Sequence, residues 1–344
     1  MFKNNFLILM LLLCGSCAQV TSLNLKKHQF GKIPTKIIWV QLAGFSAEHM
    51  ALLKFSYPSR EKKTAFEQSL CVGTTWDYNL YDLRPSAYEN FLSQLTGKKN
   101  IKNSCEDFEQ RPIWKYISDK NYKIGIFEGE SNKEQSLLKS QDCKNVSSNY
   151  LNDVIFWKMG VPPKDAKLFH IGEKNSFRQG DVYFDKSCST GKCFTSLSRN
   201  IESNFSLFQK NTKNYLYVIR NFQYLNLLKQ KRIKEAKSEL AEINEVIDYF
   251  QSLAKDSSDI LVLVTSAAGV ELNFPRSGKE WKAYENEGRN IKISKRKLVS
   301  PLYATGARAE NFCGVYEQSD LLKRIFSGAK QQGLEFSIIN PFEN

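Results

Sequence analysis

Short apolar runs and amphipathic stretches alternate along the chain. The apolar runs predict strands within Lys36–Ser46, Tyr122–Phe127, Asn214–Arg220 and Ile260–Val264, because brief apolar runs bounded by turn residues are typical of buried strands. The stretches between them predict helices, which cover Ala47–Phe55, Pro85–Gly97, a segment starting at Pro112, Tyr224–Lys255 and Ser319–Phe326.

This alternation determines the expected fold class. Strands that alternate with helices indicate an α/β domain, in which a mainly parallel sheet carries helices on both faces. We expect one such domain from about residue 30 to residue 344. The segment Gly129–Lys213 is less periodic and contains three of the six cysteines that follow the N-terminal leader, so we interpret about 129–213 as a cysteine-containing insertion. The helix Tyr224–Lys255 could form a partner-binding coiled coil, but it leads straight into Ile260–Val264, which favours packing on the sheet.

The first residues have the pattern of a secretory signal. Lys3 precedes an apolar core, Phe6–Leu13, which is too short to span a bilayer, so we assign residues 1–18 to a signal peptide. The tetrad from Cys14 to Cys17 resembles a bacterial lipobox with Cys17 as the acylated residue. That reading predicts a periplasmic, outer-membrane lipoprotein; ordinary cleavage before Gln19 is the alternative.

Export changes how the other six cysteines are interpreted. An even number in an oxidising compartment favours disulfides, and no paired C-x-x-C spacing points to a metal site. The stretch CSTGKC predicts the pair Cys188–Cys193. For the other four, the preferred pairing is Cys105–Cys143 and Cys71–Cys313, although the sequence alone leaves other pairings open.

The net charge of +13 suggests acidic surroundings, such as anionic lipid, lipopolysaccharide or another anionic polymer. Because no dense basic run occurs, a solvated basic surface is the simpler interpretation. No nucleic-acid-binding motif accompanies the richest segments, Lys229–Lys237 and Lys292–Lys297, so nucleic acid is not an expected partner.

The order of several motifs resembles the alkaline phosphatase and sulfatase superfamily. IIWVQLAGFS is similar to the family's first strand, which ends in Asp-Gly, and LSQLTG is similar to the Thr-Gly that closes its nucleophile-bearing helix. VIDYFQSLAKDSSDILVLVTSAAG is similar to the approach to its Thr-Ser-Asp-His-Gly motif. IWKYISDKNYKIGIF and VYEQSDLLKRIF extend the resemblance in scattered blocks over about residues 45–340. The resemblance implies the α/β fold expected above and, for an active member, a metal-dependent phosphatase or sulfatase.

The resemblance also implies where functional residues should stand, and this chain has alanine there. The metal-binding Asp of the first strand corresponds to Ala43, the nucleophile to Ala87, and the Asp-His pair of the fourth block to Ala267 and Ala268. Alanine keeps a small volume and supplies no ligand atom. Ser86, one position from Ala87, is the alternative nucleophile.

The histidine content is low for a two-zinc hydrolase, which needs several imidazoles and carboxylates. The chain has only His28, His49 and His170, none of which falls in a matching block, so we expect all three to be structural or exposed. We therefore expect no cofactor. A relocated site for Zn or Ca, built from other side chains, is the alternative.

Two segments are candidates for ligand binding. Gly73–Pro85 precedes the nucleophile position, and Tyr303–Glu317 corresponds to a loop region beside the active cleft of the family. Their candidate side chains are Trp76, Tyr78, Tyr81, Arg84, Arg308, Glu310 and Asn311. Aromatic faces with arginine suit a sugar or an anionic glycan, whereas the same residues could equally pack the loops or pair with one another.

Together these features favour an exported, lipid-anchored and non-catalytic relative of the superfamily, which binds an anionic envelope component or another envelope protein. Two alternatives stay open. One is an active metal-dependent hydrolase of phosphate or sulfate esters with a relocated site, and the other is a structural envelope scaffold.

Overall fold

The structure is a computed structural model that describes residues 34–54, 63–143, 149–287, 293 and 296–326. The strands in these residues form a single sheet. Their bounds are β1 (Lys36–Ala43), β2 (Cys71–Trp76), β3 (Tyr122–Glu128), β4 (Val154–Lys158), β5 (Lys167–Phe169), β6 (Val182–Asp185), β7 (Asn214–Asn221), β8 (Ile260–Ala267), β9 (Val299–Gly306) and β10 (Gly314–Glu317). Their order across the sheet is β10–β2–β9–β8–β1–β7–β3–β4–β6–β5. Only β9 runs antiparallel to its neighbours, β2 and β8, so the expected mainly parallel sheet is confirmed.

Helices cover both faces of this sheet. In the described residues the α-helices are α1 (Met50–Lys54), α2 (Ala87–Thr96), α3 (Ile113–Ile117), α4 (Leu197–Gln209), α5 (Gln223–Lys229), α6 (Ile233–Asp256), α7 (Gly278–Glu287) and α8 (Leu321–Phe326). Helix α2 lies on one face, where Gln41 of β1 donates to the carbonyl of Phe91. Helices α4 and α6 lie on the other face, where Phe205 and Phe250 pack against Tyr217 of β7.

Helix α2 begins and ends where its sequence signals predict. Ser86 is the N-cap: its Oγ accepts from the backbone N–H of Glu89 at 3.2 Å, and the Glu89 carboxylate accepts from the Ser86 N–H at 2.6 Å. Gly97 ends the helix with a φ of 69°, a left-handed conformation that glycine adopts without strain. This capping box and glycine stop set the two ends of α2.

The single helix expected over Tyr224–Lys255 is instead two helices, α5 and α6. The break is at Lys231, which has a φ of 58°. The N–H of Lys231 donates to the carbonyl of Leu228, and the N–H of Arg232 donates to the carbonyl of Leu227. These two bonds form a Schellman end, which usually carries glycine at the left-handed position. With lysine there, the sequence contains no stop signal.

The segment expected as an insertion, 129–213, continues the same sheet. It supplies β4, β6 and β5 to one edge and helix α4 to one face. All three expected cysteine pairs lie at disulfide distance: Cys188–Cys193, Cys105–Cys143 and Cys71–Cys313.

The leader 1–18, Cys17 and His28 lie outside the described residues. Within the residues that are described, no helix combines the length and the apolar character that a membrane crossing requires.

Candidate functional site

Three of the four alanine positions meet at the carboxyl edge of the sheet, the edge at which α/β proteins bind ligands. Ala43 ends β1 and Ala267 ends β8, and the two are in register on neighbouring parallel strands. Ala268 follows with a φ of 52°, in the left-handed region that a non-glycine residue rarely adopts. All three are buried, and none offers a side-chain ligand atom.

The fourth position, Ala87, is the first residue of α2 and is also buried. Its neighbour Ser86 serves as the helix cap, with its hydroxyl held by the N–H of Glu89. The contact of Ser86 with Glu89 is therefore explained by capping.

Two residues before Ala43 and Ala267 along their strands, a row of polar side chains begins and crosses five parallel strands. Thr265 is in register with Gln41, Gln41 with Arg220, Arg220 with Glu128, and Glu128 with Lys158. We call these five residues the polar row. Each is less than 9% exposed, and Gln41, Glu128 and Arg220 are fully buried.

One end of the polar row is an ionic triad of Arg220, Glu128 and Lys158. Arg220 Nη1 lies 2.7 Å from one oxygen of Glu128, and Lys158 Nζ lies 2.7 Å from the other. Burial would raise the pKa of Glu128, but the charges of Lys158 and Arg220 outweigh it and lower the pKa to about 2. Glu128 is therefore ionised throughout the ordinary pH range.

A chain of three amide side chains leads from the polar row towards β2. It begins with Gln41, which belongs to the row, and continues through Gln94 and Gln318. Arg220 Nε donates to Gln41 Oε1 at 3.3 Å, and Gln41 Nε2 donates to Gln94 Oε1 at 3.0 Å. Gln94 Nε2 then donates to Gln318 Oε1 at 2.9 Å, and Gln318 donates to Asp77. The result is a continuous hydrogen-bonded chain beneath the alanine positions, and it ties α2 and the segment before α8 to the sheet.

Asp77, directly after β2, is the acidic end of this chain. It accepts hydrogen bonds from the N–H of Ala268 at 2.8 Å, from Ser300 Oγ at 2.6 Å, and from Gln318. Complete burial raises the pKa of Asp77 to about 7, and the three donors oppose that rise because they favour the carboxylate. Asp77 therefore holds the strained backbone of Ala268 in place.

The motif comparison missed the polar row and Asp77. Its members are far apart in the chain, yet each parallel strand of the row carries its polar residue within three positions of its end, as in VQLA, FE, WK, IRN and VTSA. Such a residue on each of five neighbouring strands is a signal that alignment to known motifs does not use.

The two histidines in the described residues, His49 and His170, lie apart, since one follows β1 and the other follows β5 at one end of the sheet. His49 is buried, and Tyr224 Oη lies 2.9 Å from its Nδ1. Burial, together with the charge of Lys297, lowers the pKa of His49 to about 3, so it is neutral. His170 accepts from the N–H of Gly172 within its own turn.

The residues present do not fit a two-metal centre. Within the described ranges, the one group of three ligand-type side chains in mutual reach is Asp185, Cys188 and Cys193. Its two cysteines form a disulfide, so they offer no thiolate. Asp185 already accepts from Ser187 and Asn200.

The binding candidates are divided between two edges of the sheet. Because β9 is antiparallel to β8, the loop that follows β9 lies at the amino edge, where Ala307 donates to the carbonyl of Ile260. That loop carries Arg308, Glu310 and Asn311. These three residues, which the resemblance implied to lie beside the active cleft, are therefore at the edge of the sheet opposite to the carboxyl end of β2. Asn311 instead forms two hydrogen bonds with Arg324 of α8.

The other candidates lie at the carboxyl side of β2. Trp76 and Tyr78 line a groove of about 570 Å³, and Tyr81 is exposed nearby. Arg84 donates to the carbonyl of Arg296. The groove is largely apolar, and its other lining residues are Leu83, Leu298, Val315, Tyr316, Glu317 and Asp320.

This groove belongs to a broader apolar surface. Eight of the twelve large apolar residues that the structure exposes lie on β2, on β10 or in segments that flank β2 and β9: Leu70, Val72, Trp76, Leu80, Tyr81, Leu83, Leu298 and Val315. We call the surface formed by Val72, Trp76, Leu83, Leu298 and Val315 the apolar edge surface. Such a concentration on one end of a sheet is typical of an interaction site.

The raised pKa of Asp77 predicts a pH-dependent stability. Its folded pKa, about 7, lies above the ordinary 3.8, so its contribution to the free energy of unfolding is fully present below pH 4 and is lost as the pH rises through 7. Between pH 4 and 7, we expect the free energy of unfolding of wild type to fall by up to about 1.4 kcal/mol per pH unit relative to that of Asp77→Asn. Urea unfolding of both proteins from pH 4.5 to 8 measures this. A stability difference that does not change with pH would contradict it.

Solved structures of alkaline phosphatases have the same fold. The enzyme from the Antarctic bacterium TAB5 matches with a TM-score of 0.63 and 15% identity over 87% of this chain and 99% of that one. The enzyme from Thermus thermophilus matches with a TM-score of 0.65 and 11% identity, over 90% of this chain and 93% of that one. The enzyme from a psychrophilic Shewanella matches with a TM-score of 0.63 and 12% identity, over 85% of this chain and 99% of that one. No protein-family model and no curated protein matches the sequence. At such low identities the likeness concerns the fold, and this chain has the fold of the alkaline phosphatases.

Proposed function

We propose that this protein is a non-catalytic binding protein of the cell envelope, built on the alkaline phosphatase fold. The observation that carries the proposal is the polar row with its extension to Asp77. At the edge where a hydrolase would gather metal ligands, this chain has Ala43, Ala267 and Ala268 beside buried side chains whose carboxylate and amide oxygens already accept hydrogen bonds.

The chemistry of ester hydrolysis supports this proposal over an active enzyme. A metal-dependent hydrolase needs open ligand atoms to hold the ion and an activated nucleophile. Arg220 and Glu128 engage each other, and Gln41 and Gln94 are bonded on both sides. Ser86 caps a helix. A relocated site built from these residues would require these contacts to break.

The apolar edge surface is the binding surface that the geometry favours. Val72, Leu83 and Val315 are each more than half exposed. The charged groups beside the groove are paired internally, Glu317 with Lys99 and Asp320 with Lys323. A surface with apolar residues at its centre and compensated charges at its rim suits a protein partner better than an anionic glycan. We therefore assign this surface to another envelope protein.

If the alanines account for the absence of catalysis, side chains that can bind a metal should restore metal binding at these positions without restoring catalytic turnover. We expect no phosphatase, phosphodiesterase or sulfatase activity from the unmodified protein with any common divalent ion. The variant Ala43→Asp/Ala267→Asp/Ala268→His should bind Zn, because it regains carboxylates and an imidazole, and should stay inactive without a nucleophile at Ala87. Calorimetric titration with Zn and ester-hydrolysis assays measure both properties.

The control for this experiment is Ala43→Asn/Ala267→Asn/Ala268→Gln, which has similar volume and weaker ligands. The Asp/His variant should be less stable than wild type in chelator, since unpaired carboxylates are then buried. Hydrolysis by the unmodified protein that is abolished by chelator would overturn the proposal and favour the relocated-site enzyme.

The partner surface can be tested by site-specific photocrosslinking in intact cells. A photoreactive residue at Val315, on edge strand β10, should crosslink one other protein, and Trp76→Asp should reduce that crosslink at least about tenfold because it places a charge in the apolar contact. Leu168 is the matched control, because it is 46% exposed on β5 at the opposite end of the sheet. A crosslinked homodimer, or binding of the purified protein to anionic lipid vesicles through this surface, would contradict the assignment.

We further propose that the protein is exported and anchored through an acylated Cys17. The leader pattern and the three disulfide pairs support this, since disulfides persist in oxidising compartments. The variant Cys17→Ser should move from the membrane fraction to the soluble fraction. Unchanged membrane retention would rule the anchor out.

A further inference from the structure

A cavity separate from the groove at Trp76 lies at the carboxyl edge of the sheet and has a volume of about 280 Å³. Three of its lining residues follow adjacent parallel strands: Gln223 follows β7, Glu130 follows β3 and Met159 follows β4. Its other walls come from α6 and from the segment that leads into α4. A crevice at this edge is where open α/β sheets bind ligands, so the cavity has the position of a binding site.

Three carboxylates line this cavity. Glu130 comes from the loop after β3, and Glu239 and Glu242 lie one turn apart on α6. One oxygen of Glu239 accepts from Asn221 at 2.5 Å, and one oxygen of Glu242 accepts from the N–H of Ser198 at 3.2 Å. No cation of the described residues forms an ion pair with any of the three carboxylates. The cavity is therefore negatively charged in a chain whose net charge is +13.

The protonation state of Glu239 shows that these carboxylates act on one another. Burial raises the pKa of Glu239 to about 7, the charges of Glu242 and Glu130 add to this rise, and the hydrogen bond from Asn221 opposes it. A cation beside Glu239 would favour its ionised form and relieve the repulsion from the two other carboxylates. The electrostatics of the cavity therefore favour a positively charged ligand.

The spacing of the carboxylates does not suit a single metal ion. A metal ion needs several ligand oxygens around one point. Within the part of the chain that the structure describes, these three carboxylates do not form a group whose oxygens all lie within 4.8 Å of one another. Negative groups that are spread over the walls of a cavity match a ligand with two separated positive groups.

Apolar side chains complete the lining. Met159 and Leu197 are buried, and a thioether and a branched aliphatic side chain pack well against methylene groups. Phe194 also lines the cavity and is 80% exposed, so the face of its ring can attract an ammonium group. These contacts favour an organic cation with an aliphatic chain.

We propose that this cavity binds a short aliphatic diamine, with one ammonium group at Glu239 and Glu242 and the other at Glu130. The methylene chain between them packs against Met159 and Leu197. A volume of about 280 Å³ lies at the small end of ligand pockets, which span about 300–1,000 Å³, and this favours a ligand of a few heavy atoms over a polymer. The site is distinct from the apolar edge surface and does not depend on the partner proposed for it.

Isothermal titration calorimetry of the full protein with 1,4-diaminobutane, at constant ionic strength, tests this proposal. We expect saturable binding of one diamine per chain, whereas general binding of a dication to a protein of net charge +13 is unfavourable. The monoamine 1-aminobutane should bind at least about tenfold more weakly, because it has a single ammonium group. The variant Glu130→Gln should weaken diamine binding at least about tenfold, because it removes one carboxylate at nearly constant volume.

Glu245→Gln is the matched control. Glu245 is exposed on α6, the helix that also carries Glu239, and it does not line the cavity. This variant should bind the diamine like wild type. Equal diamine affinity of Glu130→Gln and wild type, equal affinity for diamine and monoamine, or no saturable binding would overturn the proposal.

Displacement of the diamine by an equimolar divalent metal ion would also overturn it, in favour of a metal site. None of these results bears on the apolar edge surface, which the photocrosslinking experiment tests separately.

Discussion

The carboxyl edge of this protein depends on the buried ion pair between Arg220 and Glu128, which joins β7 to β3 at 2.7 Å. Removing one partner of a buried pair leaves an uncompensated charge and typically costs about 3–5 kcal/mol. The pair stays in place because strand register sets the two residues side by side, and because Gln41 and Lys158 add further hydrogen bonds to them. The same contacts extend through Gln41 to Gln94, so helix α2 is connected to the ion pair by hydrogen bonds.

This arrangement gives a physical reason for linking the alanines to the proposed loss of catalytic activity. In this network the carboxylate and amide oxygens already accept hydrogen bonds, so none of them is a spare ligand atom for a metal ion. Ala43 and Ala267 complete it, because small side chains fit above the network without introducing a second set of polar groups that would need partners. The carboxylate of Asp77 accepts the N–H of Ala268, so the backbone donor at this third alanine also has a partner within the protein.

Local signals in the sequence predicted the fold class and four of the ten described strands, β1, β3, β7 and β8. The capping box at Ser86 and the stop at Gly97 set the ends of α2, and the apolar run Ile260–Val264 set β8, because each of these depends on adjacent residues. The break at Lys231 was missed because its left-handed conformation carries no glycine. The resemblance implied that Arg308 lies beside the active cleft, but β9 is antiparallel and places it at the amino edge, and no local pattern in the sequence shows the direction of that strand. The polar row was missed because it depends on register between strands that are far apart in the chain.

The central claim is that the carboxyl edge holds a closed polar network in place of a metal-dependent active site. Its most direct test is the metal content of the full-length protein purified without chelator, determined by inductively coupled plasma mass spectrometry. The account predicts zinc and calcium far below stoichiometric amounts, with no change in the unfolding temperature after dialysis against a chelator. A stoichiometric ion whose removal lowers that temperature in wild type, and whose binding is altered by Asp77→Asn or Gln41→Leu, would contradict it.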